Sequence, residues 1–266
     1  MIITRFISLR ASFTKRLLKW NTRQTSSTLT SDGPNSNDRY GVCDILAEKG
    51  ISSVIWFEDL LALYGSDTQV WDLKLLVQDP REAANVLLHA GYKETSHQLH
   101  FDEDPESSKR GVRMAVTSSE TGVMLLPTRD WYHTMDEEST RKYVPSLHSF
   151  IDSMIEFWLN ISSRDYVDRV GFALYIGCLI NYCYALKDEN GEPVRDPAYA
   201  NKLKPEHREL HYDIVADCPR KDSFTTTQQH QYHTRRSREI KEGLFTPQPH
   251  QKKDAFRAPL PPLIEH

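Results

Sequence analysis

A chain of 266 residues has room for one large or two small domains, and a hydrophobic content of 39% leaves part of it outside any packed core. Its charge is unevenly placed: residues 1–31 hold six basic residues (Arg5, Arg10, Lys15, Arg16, Lys19, Arg23) and no acid, residues 187–266 hold 14 basic and 13 acidic, and residues 32–186 are left with 13 basic against 24 acidic, a net −11. So acidic a stretch repels phosphate backbones, which disfavours nucleic acid as its partner. Four cysteines (Cys43, Cys178, Cys183, Cys218) form no C-x-x-C pair and read as free thiols of an intracellular protein. No apolar run approaches the roughly 20 residues of a membrane span; Val170 to Ala185, interrupted by Gly171, Gly177 and Asn181, reads as a core helix.

Along the chain, Ile2, Phe6, Leu9, Phe13, Leu17 and Trp20 recur at spacings of 4, 3, 4, 4 and 3, one apolar stripe of a helix with basic residues beside it. Ser and Thr crowd Thr22 to Ser31. This pattern matches a mitochondrial transit peptide, and a disordered basic extension reads from the same residues. Ser26 to Asn37 is a linker by composition. The periodicity then predicts a helix over Tyr40–Lys49 stopped by Gly50, a short strand over Ser52–Trp56, a helix over Glu58–Tyr64 stopped by Gly65, and a strand over Gln69–Gln78. That strand is apolar except at Asp72 and Lys74, hence central and buried on both faces. Asp79-Pro80 opens a helix that runs to Gly91. Glu94–Phe101 is expected as a strand, Asp102–Arg110 as a charged loop, and Val112–Thr117 with Gly122–Leu126 as a hairpin ended by Pro127. Helices follow over Glu137–Tyr143, Ser146–Leu159 and Tyr166–Leu186. One amphipathic helix is expected over Arg195–Glu209. From Thr225 to His266 the Gln, His, Pro and basic content predicts mostly disorder.

The order helix, strand, helix, central strand, helix, hairpin describes an α/β (α+β) unit with a small mixed sheet flanked by helices. Within it Leu60-Leu61-Ala62-Leu63-Tyr64-Gly65 and Asp72-Leu73-Lys74-Leu75-Leu76-Val77 resemble the nucleotidyltransferase superfamily, in particular its minimal and antitoxin-like members and the fungal nucleotidyltransferase-like proteins of unassigned function. The resemblance covers residues 40–130 and extends loosely to 186. It implies a nucleotidyltransferase-like domain over 40–130, with a helical segment over 131–186 packed on it. An extension and linker over 1–39 and a mostly disordered tail over 187–266 flank these two.

That family sets two glycines before the helix, an Asp-x-Asp pair on the central strand and a third carboxylate on the later hairpin, which together hold a triphosphate and Mg²⁺. This chain departs at all three places. Phe57-Glu58-Asp59 is bulky and doubly negative where backbone N–H groups would meet phosphates, Lys74 replaces the second carboxylate, and Val123-Met124-Leu125-Leu126 carries none. The expectation is therefore a pseudoenzyme: a binding or interaction module for a protein partner, without cofactor. In it Lys74 pairs with Asp72, Glu58 or Asp59. Lys74 and Asp72 are the candidate ligand-binding residues, with Lys74 able to take a phosphate as a point charge. The alternative is an active enzyme in which Glu58 or Asp59 joins Asp72 as a Mg²⁺ ligand, making these three the catalytic candidates.

Other motifs weigh less. His207 and His211 (HRELH) share a helical face and could hold Zn²⁺ or Cu²⁺ with Asp213, Asp217 or Cys218 nearby, but a solvated His-rich segment containing His230 and His233 is the favoured reading, with no metal site. Arg235-Arg236-Ser237-Arg238 and Pro259-Leu260-Pro261-Pro262-Leu263 read as a flexible tail, with docking on an acidic or aromatic partner as the sharper option. Trp131-Tyr132-His133 is expected to fill the junction between sheet and helices rather than line a cleft. G-x-S-x-G, G-x-x-x-x-G-K-[ST] and G-x-G-x-x-G are absent, which removes local support for hydrolase, P-loop and dinucleotide-binding readings.

Overall fold

The computed structural model describes residues 39–64, 68, 70–95, 111–116, 122–162, 166–182, 197–216 and 226–248. It has the expected α/β architecture. Helix α1 (Gly41–Ala47) ends where Gly50 takes φ 76°, and β1 (Ser53–Trp56) follows, every residue buried. Helix α2 (Glu58–Leu63) leads to β2 (Leu73–Val77). Helix α3 (Pro80–His89) is opened by Asp79, whose carboxylate accepts from the Arg81 and Glu82 N–H groups and satisfies two otherwise unpaired donors. Pro at the first helical position loses no hydrogen bond there. Strands β3 (Lys93–Glu94), β4 (Val112–Ala115) and β5 (Val123–Pro127) complete a five-stranded sheet of order β1-β2-β5-β4-β3.

The register explains why β2 is apolar on both faces. It pairs antiparallel with β1 (Trp56 opposite Lys74) and parallel with β5 (Lys74 opposite Met124), so it lies inside the sheet and all five residues are buried. The strand is shorter than expected: Val70 and Trp71 are exposed, and Asp72 sits at the bend just before β2 rather than within it. The expected hairpin forms, β4 antiparallel to β5. Of the expected strand 94–101 only Glu94 falls in β3, and residues 96–110 lie outside the described residues.

After a 3₁₀ turn (Thr128–Trp131) come α4 (Glu137–Lys142), α5 (Leu147–Asn160) and α6 (Tyr166–Tyr182). Ser146 caps α5 by accepting from the Ser149 N–H. Trp131 is the hinge of the packing. It stacks on Phe157 of α5 with ring centres 4.4 Å apart and meets Phe57 edge-on at 4.6 Å, joining sheet and helices through one aromatic core. His133 is buried beside it against Trp56, while Tyr132 points outward, so the junction cluster fills the core at two positions of three.

Two expectations are corrected beyond residue 187. The region foreseen as a single helix over 195–209 is a 3₁₀ segment (Pro197–Lys202) followed by α7 (Pro205–Ala216), because Pro205 starts a helix but cannot continue one. Part of the segment expected to lack structure is helix α8 (Thr227–Lys241), capped by Thr226. His230, His233, Ser237 and Ile240 form its buried face. His230 Nε2 lies 2.9 Å from the Trp158 carbonyl, and its ring meets the Trp158 indole edge-on at 4.7 Å. Its polarity misleads because three of its four buried positions are two histidines and a serine, with Ile240 the one aliphatic. Arg235, Arg236 and Arg238 therefore belong to a packed helix; Pro259–Leu263 and the whole of 1–38 lie outside the described residues. No helix among the described residues is long and apolar enough to cross a membrane.

Candidate functional site

The junction of β1 and α2 is strained. Phe57 takes φ 55° and ψ −124°, a region that glycine enters freely and side chains rarely do. Its ring is fully buried among Trp131, Phe172 and Tyr175, and this packing holds the backbone there. The two residues after it open α2 with buried carboxylates, Glu58 and Asp59.

Each acidic candidate is held by a basic side chain. Lys74, on β2, donates to both Glu58 oxygens at 2.9 Å; the two side chains are 2% and 6% exposed, and the Lys74 ammonium also lies 5.1 Å from the centre of the Phe57 ring. Asp59 receives a two-pronged grip from Arg39 at 2.6 and 2.8 Å, with the Tyr40 hydroxyl at 3.1 Å. Arg39 also fixes the Trp71 carbonyl at 2.6 Å. Burial works against the charge of Arg39, yet its bond to Asp59 and the nearby negative charge carry its pKa above the ordinary value. Asp72 accepts from Arg113 Nε at 2.5 Å and Nη2 at 3.0 Å, and from the Gly122 N–H at 2.7 Å. The hydrogen bond to Asp72 raises the Arg113 pKa against the opposing effect of burial.

Gly122 serves this arrangement directly. A Cβ there would stand 2.9 Å from the Arg113 guanidinium and from the Met114 carbonyl, so only glycine lets Arg113 cross the hairpin to reach Asp72. The sequence-based expectation that Lys74 finds a carboxylate partner is met by Glu58. Arg39 and Arg113, which complete the other pairs, were not singled out from the sequence. The one signal for Arg113 was the glycine at the start of β5, a mark of close backbone approach.

The chemistry available is limited by this pairing. Mg²⁺ prefers one or two free carboxylates with waters and substrate phosphates, whereas three of the roughly four acceptor positions on Asp72 already hold N–H donors. Among the described residues, no three metal-ligating side chains at this site bring ligand atoms within 4.8 Å of one another. The guanidinium of Arg113 and the ammonium of Lys74 stand where a cation would need negative potential.

The HRELH histidines separate. His207 is buried between Asp152 and Glu156 of α5, while His211 stacks on Tyr199 with ring centres 6.1 Å apart. Asp213 lies 3.3 Å from His233 of α8; Asp217 and Cys218 lie outside the described residues. Cys43 is buried, and burial pushes its thiol up to about 12, which leaves it unreactive. No family model, curated protein or solved structure matches the chain.

Proposed function

We propose that the chain is a non-catalytic nucleotidyltransferase-like protein that acts as a binding or interaction module. The observation that carries this reading is the neutralisation of the site: Glu58, Asp59 and Asp72 are matched by Lys74, Arg39 and Arg113. A cation at Asp72 would have to displace a two-pronged guanidinium, a charge-assisted contact stronger than an ordinary hydrogen bond. Two further features support it. The order of elements up to the hairpin is the one the resemblance implies. Phe57 holds a glycine-like backbone conformation at the place where that family has its glycines, with its ring turned into the aromatic core. Beside the site, Trp71 is 47% exposed with its carbonyl held in place, an apolar surface that a protein partner could cover.

Titration calorimetry of the purified protein with ATP and Mg²⁺ tests the proposal. No metal-dependent heat is expected. Tight Mg²⁺-dependent binding that disappears in Asp72→Ala would overturn it and establish the active enzyme that recruits Glu58 or Asp59. The amphipathic, basic, acid-free stretch of residues 1–31 supports a mitochondrial destination; a fluorescent fusion of residues 1–35 that stays in the cytosol would refute that part.

A further inference from the structure

Asp152 and Glu156 lie four residues apart on α5, one above the other on the same face, and α7 inserts His207 between them. The ring is fully buried, with Nδ1 2.6 Å from Asp152 Oδ1 and Nε2 2.8 Å from Glu156 Oε2. Asp152 is itself fixed by the Lys204 backbone N–H at 3.1 and 3.2 Å. Glu206, in the first turn of α7, brings a third carboxylate, so that one ligand atom each of Glu156, Glu206 and His207 falls within 4.8 Å of the others. Lys241 of α8 reaches Glu156 from outside at 2.9 and 3.1 Å.

We propose that Glu156, Glu206 and His207 form a binding site for a divalent transition-metal ion, Zn²⁺ by preference, with Asp152 as the residue that orients His207 from behind. Zinc takes imidazole nitrogen and carboxylate oxygen at about 2.0–2.2 Å in tetrahedral array, which sets neighbouring ligand atoms roughly 3.4 Å apart. The three ligand atoms already lie within reach of that spacing, and His207 and Glu156 need to part by only about 0.6 Å. Metal-bound histidines almost always donate their second N–H to a carboxylate, a backbone carbonyl or water, and Asp152 stands in that relation to Nδ1. That leaves Nε2 as the binding atom.

Charge points the same way. Three carboxylates, Asp152, Glu156 and Glu206, gather about His207, a concentration of acceptors that a divalent cation answers. Lys241 lies on both Glu156 oxygens and Asn160 Nδ2 donates to Oε1 at 3.2 Å, so the ion binds through Oε2 while Oε1 keeps those donors. Glu156 and Glu206 are half-buried, so water can reach a fourth coordination position. One nitrogen with two oxygens, part of it enclosed, suits zinc better than Mg²⁺, which holds several waters and prefers an all-oxygen shell.

The test uses the full-length protein, stripped with a chelator and dialysed, with Zn²⁺ titrated in competition with a chromophoric chelator. One equivalent bound per chain is expected. Glu206→Gln should weaken binding at least tenfold, and Asp152→Asn about 10–100-fold, the range for such supporting partners. Lys241→Met should tighten it, because a competing cation is gone. Lys241 is substantially exposed, so its variant folds whatever the others do. No saturable one-to-one binding would overturn the proposal. So would one-to-one binding that neither Glu206→Gln nor Lys241→Met changes, since the ion would then sit elsewhere.

Discussion

Replacing Lys74 by Met separates the two roles the residue could have. Its side chain is 2% exposed and bonds both oxygens of a carboxylate that is itself 6% exposed. Methionine keeps most of the aliphatic stem beside Phe57 but removes the charge, leaving a buried carboxylate at the start of α2. Breaking a buried pair on one side costs about 3–5 kcal/mol. Lys74→Met is thus expected to lose about 3 kcal/mol at pH 7, a fall in melting temperature of roughly 6–12 °C for a domain of this size. Adding Glu58→Met to Lys74→Met should restore stability to within about 1 kcal/mol of the wild type, since well-packed apolar residues replace buried pairs at little cost. Urea unfolding of the wild type and of the single and double variants at pH 7 measures all of this. A Lys74→Met variant that loses under 1 kcal/mol at pH 7 would refute the buried pair and return Lys74 to the role of a ligand-binding cation.

Three further outcomes follow from particular contacts. Phe57→Gly and Phe57→Ala both empty an aromatic site, worth about 3–5 kcal/mol, but glycine should be the milder by about 1–2 kcal/mol because only alanine retains the strain of φ 55°; equal unfolding midpoints would deny that backbone conformation. Burial depresses the pKa of His133, with Asp136 opposing and Lys204 reinforcing the shift. A depressed value means the folded state binds its proton less readily than the unfolded one, so stability is full above about pH 6.5 and is lost as pH falls toward the folded value. His133→Gln should show a shallower decline in melting temperature between pH 7.5 and 5, and parallel curves would argue against it. Ending the chain at residue 225 removes α8, uncovers Trp158 and strips Lys241 from Glu156, whose pKa is held at about 2 chiefly by the His207 hydrogen bond, against burial, with Lys241 adding to the effect. A loss of at least about 3 kcal/mol is expected from the exposed core side chains, and an unchanged melting curve would show that α8 does not dock.

Much of the architecture was legible because it rests on local rules. Asp79-Pro80 and Gly91 bounded α3, Ser146 marked the start of α5, and the apolar run of β2 announced a strand covered on both sides. The end of the chain was misread for a physical reason: α8 buries His230 and His233 against Trp158, with Ser237 and a single aliphatic residue, Ile240, on the same face, so little aliphatic periodicity is there to detect. At the site, the sequence supplied Glu58, Asp59, Asp72 and Lys74. It could not supply Arg39, which meets Asp59 from 20 residues away, or Arg113, which meets Asp72 from 41.

The sequence by itself determined the element order and the central position of β2, since each depends on residue type and near-neighbour spacing. Only the tertiary structure decided which charge answers which. A carboxylate's partner is whichever cation the sheet register and helix packing bring within about 3 Å, a distance that sequence separation does not encode. That decision turned three acidic residues into neutral pairs, and placed His207 between the carboxylates of another helix.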